Sequence, residues 1–540
     1  MPSRSATKAD LEGASICFLL EIKDHKSYRF SSFPISLFDG AEELRFDGEL
    51  GDPEFELAVE DGFNIESQSI PLELVFTDRD LAKEYMRGFE LEYLEAELSY
   101  CTVKNGAALQ AYDNRVLIFK GRISQPLIGD PSQPVGYVSF SLENGRELQE
   151  YPLIDPDRVL RGEIPSRGKI APVIIGAPCL QVPNEGGTTL SNLYTSPAYL
   201  TSTTSNHALI ASHFVEAATV DIKDQDGKER TGITVSNVTS VLTGTQARVT
   251  LTDGAGDTLV TGDGSDFQLW VKWDDGGGHN NPFGEGLLQG AGDVVRYALS
   301  FVNAFKDNSA FEALAPHLNS YKIDGWINEE VEALEWLEAS ILPYIPLSIQ
   351  VGPFGLYPIL DLHIAATIQA PVAVVEDGVD FYVTSGFLPL GDPEDIINRV
   401  ILKFAWSGDR DAYGGLIEID PRVELENHTA TKFSSLRSRI SFNRFGLRTK
   451  IIEADFISDF TTASRVAMDL INKFSYPRMA IEVEADFSWG WLDIGDLIQI
   501  TSSKLHLKNE IVQVLKKSYL GASWSYQLLI HSDPIKRTRP

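Results

Sequence analysis

Residues 461–498 read TTASRVAMDLINKFSYPRMAIEVEADFSWGWLDIGDLI, and the fold is decided there. Val466, Leu470, Ile471 and Phe474 recur at helical spacing and form one apolar face. Pro477 ends that helix, since proline has no N–H to continue it. Met479 to Ala485 then reads as a strand, and Gly495-Asp496 as the turn joining it to a second strand at Leu497-Ile498. Glycine relieves the backbone of such a turn, and aspartate caps it through nearby amides.

Strand patterns dominate away from this block. Ile16, Phe18, Leu20 and Ile22 alternate, as do Phe55, Leu57 and Val59, and Leu72, Leu74 and Phe76. Glu90 to Tyr100 alternates with acidic residues, Val116 to Phe119 runs to an expected turn at Lys120-Gly121, and Val138, Phe140 and Leu142 close the set. Thr77 to Arg87 reads as a short helix. Between Thr195 and Trp273, Asp226-Gly227 and Asp253-Gly254 are hairpin signals separating alternating runs. Helical periodicity follows at Val294, Val295, Ala298, Leu299, Val302 and Phe305, with Asp293 as N-cap. A second helix spans Asn328 to Ile341 and ends at Pro343 and Pro346; strands follow from Ser348 to Tyr382. The expected fold class is mainly β with an α+β central segment, in a multidomain chain. Its expected parts are an N-terminal β-barrel (1–150), a linker (151–185), an inserted β domain (186–290), an α+β domain (291–396) and a C-terminal β-barrel (397–540).

Length and composition fit this. The 540 residues suffice for roughly three to five domains, with 43% apolar and 23% charged residues as in ordinary globular chains. The 46 basic and 77 acidic residues give a net charge of −31, which disfavours a phosphate-binding surface. Cys17, Cys101 and Cys179 are too few and too scattered for a disulfide framework or zinc site, and read as buried thiols. The opening MPSRSATKADLEG lacks the apolar core of a signal peptide, and the run Ile364 to Val375 is too short to span a bilayer. Without a signal peptide, Asn237-Val238-Thr239 and Asn427-His428-Thr429 read as chance matches to a glycosylation pattern.

Asp274-Asp275-Gly276-Gly277-Gly278-His279 has the residue types of a hydrolase, but adjacent carboxylates rarely converge across one bond, and it reads as a flexible connection. Gly284-Glu285-Gly286-Leu287-Leu288-Gln289-Gly290 has the wrong spacing for a dinucleotide loop, and Glu285 would face a phosphate. Asp224-Gln225-Asp226-Gly227 opens like a calcium loop, with Asp253, Asp257, Asp263 and Asp266 as further oxygens, but lacks the twelve-residue register. Trp489, Trp491, Trp524 and Tyr526 suit either a sugar platform or packing, and packing is the favoured reading. No catalytic, cofactor or metal residue is assigned.

Thr462-Ala463-Ser464-Arg465-Val466-Ala467, Phe474-Ser475-Tyr476-Pro477-Arg478 and Leu492-Asp493-Ile494-Gly495-Asp496-Leu497-Ile498 resemble the hub proteins of siphophage and gene-transfer-agent tail tips. Ile170 to Gly176 is similar to the extended segment after the first barrel of such hubs. Gly292 to Leu299, Gly325-Trp326 and Ala333 to Leu337 are similar to their central helical domain. The resemblance implies two similar hub barrels per chain, here about Ser15–Asn144 and Ile397–Ile530, in a homotrimer that imitates sixfold symmetry. Such a trimer joins the distal tail or tail tube protein to a threefold tip, fibre or spike protein. DNA passes through its channel without specific binding. The implied location is the virion tail tip or baseplate, after synthesis in the host cytoplasm, with no membrane segment. Two rivals are a receptor- or glycan-binding tail protein using Trp489, and a depolymerase using Asp274 or Asp275.

Overall fold

The computed structural model describes residues 14–24, 27–58, 69–76, 91–109, 111–128, 136–143, 152–153, 170, 172–179, 181–184, 187–190, 195–200, 207–215, 219–223, 229–240, 244–250, 269–273, 278–302, 309–352, 355–520 and 523–530. The protein is mainly β, as the alternating runs predict, with a minority of helix. Its contacts divide into two units: residues 1–149, 347–391 and 478–532, and residues 150–346, 392–477 and 533–540. Among the described residues no helix is long and apolar enough to cross a membrane; the Ile364 to Val375 run holds part of the helix Leu362–Ile368 and of the strand Ala373–Glu376.

The first unit holds two large sheets. One is antiparallel and runs in the order Ser27–Ser31, Ser15–Lys23, Glu95–Lys104, Val116–Ile128, Gly136–Glu143, Ser69–Phe76. Ser15–Lys23 is buried on both faces. Phe18, Leu20 and Ile22 enter the main core, while Cys17 and Leu19 lie under the hairpin formed by Ile35–Asp39 and Glu42–Phe46. Lys120-Gly121 is not a turn. The strand continues through it to Ile128, and the ladder to Glu95–Lys104 shifts register at Leu98/Ser99 instead.

The other sheet runs Ala373–Glu376, Leu497–Ser502, Leu507–Leu520, Ser523–Ile530, Arg478–Ala485, Phe381–Val383. Its outermost strands are joined by the short turn Asp377–Asp380, closed where Gly378 N–H donates to the Phe381 carbonyl at 2.6 Å, so the sheet curls back on itself. Phe55–Ala58, from the beginning of the chain, pairs with Leu507–Leu520. The two sheets share one apolar core, in which Leu20, Leu74 and Leu98 meet Val483, Val514 and Trp524. Each such side chain contributes about 1.5–3 kcal/mol by leaving water.

Directly opposed Glu21 and Glu97 would repel across the first sheet. Arg115 Nη2 lies 3.1 Å from Glu97 and 4.0 Å from Glu21, Arg29 donates to Glu21, and Lys23 and Lys120 pair with Glu97. Burial pushes the Glu97 carboxyl up, but these cations outweigh it and hold it below its ordinary value.

The second unit contains a closed six-stranded barrel: Ser196–Leu200, His207–Ala211, Gly244–Thr250, Glu229–Ser240, Thr219–Lys223 and Leu269–Lys272, which returns to the first. The strands flanking Asp226-Gly227 pair as expected. Asp253-Gly254 lies outside the described residues; the described strands on either side of it, Gly244–Thr250 and Leu269–Lys272, are not neighbours, the latter closing the barrel against Ser196–Leu200.

Three helices of this unit are Ala291–Leu299, Ser309–Leu318 and Ala333–Ser340. Gly290, not Asp293, caps the first, and the third begins at Ala333 rather than Asn328. A Cβ on Gly292 would stand 2.5 Å from the Ala315 Cα, so only glycine allows the first two to approach as they do. A four-stranded sheet, Lys432–Phe433, Ala412–Ile419, Arg399–Ser407, Thr449–Ala454, completes the unit together with the helices Leu436–Phe445 and Phe460–Phe474. The latter helix packs on Arg399–Ser407 and Ala412–Ile419 through Thr462, Ala463, Val466, Ala467 and Ile471, with Leu470 and Phe474 half-buried. Asp459 caps it, accepting from the Thr462 N–H at 2.7 Å. It ends at Phe474, ahead of Pro477.

Candidate functional site

The Gly-Asp block is a turn held on every side. Gly495 has φ +89°, and a Cβ there would meet Ile359 carbons at 3.0–3.3 Å. Its N–H donates to the Val514 carbonyl at 2.8 Å, and Val514 N–H returns to the Asp496 carbonyl at 3.0 Å. Asp496 Oδ2 accepts from the Asp493 N–H at 2.8 Å, the amide cap expected from the sequence. The turn does not make a hairpin of the two strands around it. Arg478–Ala485 pairs with Ser523–Ile530, whereas Leu497–Ser502 pairs with Leu507–Leu520. Burial, with the Asp493 carboxylate adding to it, pushes Asp496 up to about 6 against the pull of the Asp493 N–H and Lys517.

Beside the turn, Lys517 is buried among aromatic rings. Its Nζ donates to the Gly490 carbonyl at 2.7 Å, lies 3.1 Å from the exposed Asp493 carboxylate and sits 5.0 Å from the Trp524 ring centroid. This gives the cation a hydrogen bond, a counter-charge and a ring face. Trp524 and Tyr526 are fully buried, and the Tyr526 hydroxyl donates to the Trp489 carbonyl at 2.7 Å. Trp489 lies in a short 3₁₀ turn, is half-buried, stacks on Trp491 at 5.8 Å and meets Phe381 edge-on at 4.8 Å. All four aromatics therefore belong to the core or its margin: Trp489 and Trp491 stack on each other, Tyr526 stacks on Phe381, and Trp524 packs among Phe55, Tyr100 and Tyr519.

The other sequence candidates separate. Asp274, Asp275, Gly276, Gly277, Asp224, Gln225, Asp226, Gly227, Asp253, Asp257, Asp263 and Asp266 lie outside the described residues. His279 is described, and its ring packs between His213 at 4.8 Å and Tyr297 at 5.2 Å. Glu285 is exposed on the turn before the helix Ala291–Leu299. The first amides of that helix are already taken, since Ala291 N–H donates to the Tyr321 carbonyl and Asp293 N–H to Asn319 Oδ1. Asp293 Oδ2 accepts from Asn281 and Asn319, each at 2.9 Å, so its carboxylate braces this junction instead of capping the helix. Among the described residues no group of three His, Cys, Asp or Glu side chains is placed to hold a metal.

A residue not singled out from the sequence, Asp324, organises the second unit. Oδ1 accepts from Ala177 N–H at 3.0 Å and Gln289 Nε2 at 2.6 Å, and Oδ2 from Ser458 Oγ at 2.8 Å. Burial pushes its carboxyl up to about 6, with those three donors and Lys322 pulling the other way. Asp324 precedes Gly325–Ile327, which pairs with Val173–Ile175, so two of the blocks carrying the family resemblance form one ladder. Next to it opens a cavity of about 550 Å³ lined by Asp324, Trp326, Asn328, Trp336, Trp406 and Asp455, among others. Nothing in the sequence pattern marked Asp324, an isolated acid at a strand entry.

No family model and no curated protein matches the chain. Solved structures do. A tail protein from Neisseria meningitidis MC58 is 10% identical, with 95% of this chain and 96% of that one covered and a TM-score of 0.38. The 43 kDa tail protein of prophage MuSo2 from Shewanella oneidensis is 9% identical over 95% and 96%, with a TM-score of 0.35. A chain of the virion of a native gene transfer agent particle is 10% identical over 69% and 87%, with a TM-score of 0.39. The likeness is thus to phage-tail and gene-transfer-agent structures, while identities near a tenth and TM-scores below 0.4 leave the functional reading to rest on this chain's own residues.

Proposed function

We propose that the chain is a non-enzymatic structural hub of a phage tail tip or baseplate, acting as a homotrimer that adapts sixfold tail rings to a threefold tip and surrounds the DNA path. The observation that carries this reading is the first unit, in which two curved β-sheets from opposite ends of the chain share one core. A ring of pseudo-sixfold symmetry needs two such modules from each of three copies. The side chains around Gly495-Asp496 hold a turn and bury an aromatic cluster, which is the work of a scaffold. Val374 and Tyr382, exposed on the outermost strands of the second sheet, are apolar surface that a neighbouring copy would cover. The net charge of −31 suits a passage from which DNA phosphates must be repelled, over about 8 Å at physiological salt.

The test is the mass of the full chain in solution together with a low-resolution electron microscopy map. A threefold ring with a central channel is expected. A monomer at micromolar concentration, or a ring whose channel is lined by Lys and Arg, would sink the reading.

A further inference from the structure

Cys17 and Cys101 face each other directly in the ladder between Ser15–Lys23 and Glu95–Lys104. Both are fully buried on the same side of the sheet, with Leu19 and Val103, under the hairpin Ile35–Asp39/Glu42–Phe46. Both are free thiols, and the two side chains interact, while the Cys17 Sγ also lies 3.7 Å from the Phe18 and Phe33 carbonyls and accepts from Ser32 Oγ at 3.8 Å. Directly opposed residues of an antiparallel pair have Cα atoms about 4.5 or 5.5 Å apart, within the roughly 4.4–6.8 Å that a disulfide bridges. Two residues of chance proximity would rarely combine opposed register, a common face and sulfur contact.

We propose that Cys17 and Cys101 form a two-electron oxidation site that closes into a cross-strand disulfide when the protein meets a small-molecule disulfide oxidant. Cys17 is the attacking sulfur: its contacts with Cys101, the Phe33 backbone and the Ser32 hydroxyl hold its thiol below the ordinary value against burial, whereas the same Cys17 contact and burial push Cys101 up. Its thiolate breaks the oxidant's S–S bond, forming a mixed disulfide and releasing one thiol. Cys101 then loses its proton and attacks the Cys17 sulfur, expelling the second thiol. One S–S bond forms, one breaks, the protein loses two electrons and two protons, and the oxidant gains both. The pair lies two positions from the Ser15–Val103 end of the ladder, so fraying of that end admits the oxidant. In a reducing cell interior the site stays open, and outside the cell it staples the first sheet.

The experiment treats the purified, reduced full chain with oxidised glutathione, alone and in sub-denaturing urea. The expected product has lost two hydrogens by intact mass, links the Cys17 and Cys101 peptides in a non-reducing digest, and keeps one of three titratable thiols, Cys179. Its thermal midpoint rises by several degrees over the reduced form, and Cys17→Ala or Cys101→Ala abolishes the rise. Three free thiols after treatment in urea, a glutathione adduct that never resolves, or a bridge to Cys179 would overturn the proposal.

Discussion

Replacing Asp324 by asparagine tests how the second unit tolerates a buried carboxyl. The wild-type group has an ordinary value of 3.8 and is pushed up to about 6 in the fold, mainly by burial. Because the folded state holds this proton more tightly, it binds more protons than the unfolded state between those values. Stability from this group is therefore greatest below about 4 and falls as pH rises through the window, with the full cost present above about 6. A window about two pH units wide, at about 1.36 kcal/mol for each, sets a ceiling of about 3 kcal/mol. The asparagine side chain would carry no charge and keep one oxygen for Ala177 N–H and Gln289. Its amide N–H would be available to the Ser458 hydroxyl, which can accept it. Calorimetry of wild type and Asp324→Asn from pH 4.5 to 7.5 should show the variant gaining relative to wild type as pH rises, by about 1–3 kcal/mol in all. Glu418 and Asp420, held low in the same unit by burial-opposing arginine and lysine contacts, titrate in both proteins and cancel in the difference. Parallel pH curves would refute the reasoning.

Three further substitutions probe geometry. Gly495→Ala should lower stability by about 1–3 kcal/mol, since φ +89° is unfavourable for alanine and its methyl would press on Ile359; an unchanged thermal midpoint would count against the turn's importance. Gly292→Ala should cost more, about 2–4 kcal/mol, because the clash is with the Ala315 backbone, and should weaken protection of the helix Ser309–Leu318 in hydrogen exchange. Arg115→Ala leaves Glu21 and Glu97 opposed with weaker screening, so stability should drop by about 1–3 kcal/mol near pH 7 and partly recover on acidification as the carboxylates gain protons. An equal loss at pH 4 and pH 7 would exclude the charge argument.

Much of the local structure is legible in the sequence because it is written in short range. The stripe at Val466, Leu470, Ile471 and Phe474 marks the terminal helix, and Gly495-Asp496 marks a turn whose positive φ and amide cap the structure contains. The alternation of Phe18, Leu20 and Ile22 marks one face of its strand, but not the hairpin that buries Cys17 and Leu19 on the other. Helix Leu436–Phe445 leaves no such mark because its sequence, LRSRISFNRF, buries Ser438 and Ser441 and leaves Leu436 60% exposed, so it has no apolar stripe. Helix Ser309–Leu318 carries Pro316, which reads as a break. Strand order is illegible for a different reason. Gly244–Thr250 and Leu269–Lys272 follow one another among the described strands yet lie apart in the barrel, and no local pattern indicates a partner several strands away. Asp324 is hidden likewise, since its three donors come from residues 177, 289 and 458.

The pairing of Phe55–Ala58 with Leu507–Leu520 ties synthesis to assembly. The ribosome emits the first strand of that pair almost a whole chain before the second, so the early segment must wait, unpaired, while the second unit's residues are made. Unit one can be completed only after the last strands, to Ile530, have emerged. A chain cut short near its end therefore cannot offer a finished core, and its stranded Phe55 and Leu57 would invite aggregation or degradation instead of incorporation. A chain that stops before Leu507–Leu520 thus lacks the strand that Phe55–Ala58 pairs with, and its first unit stays open.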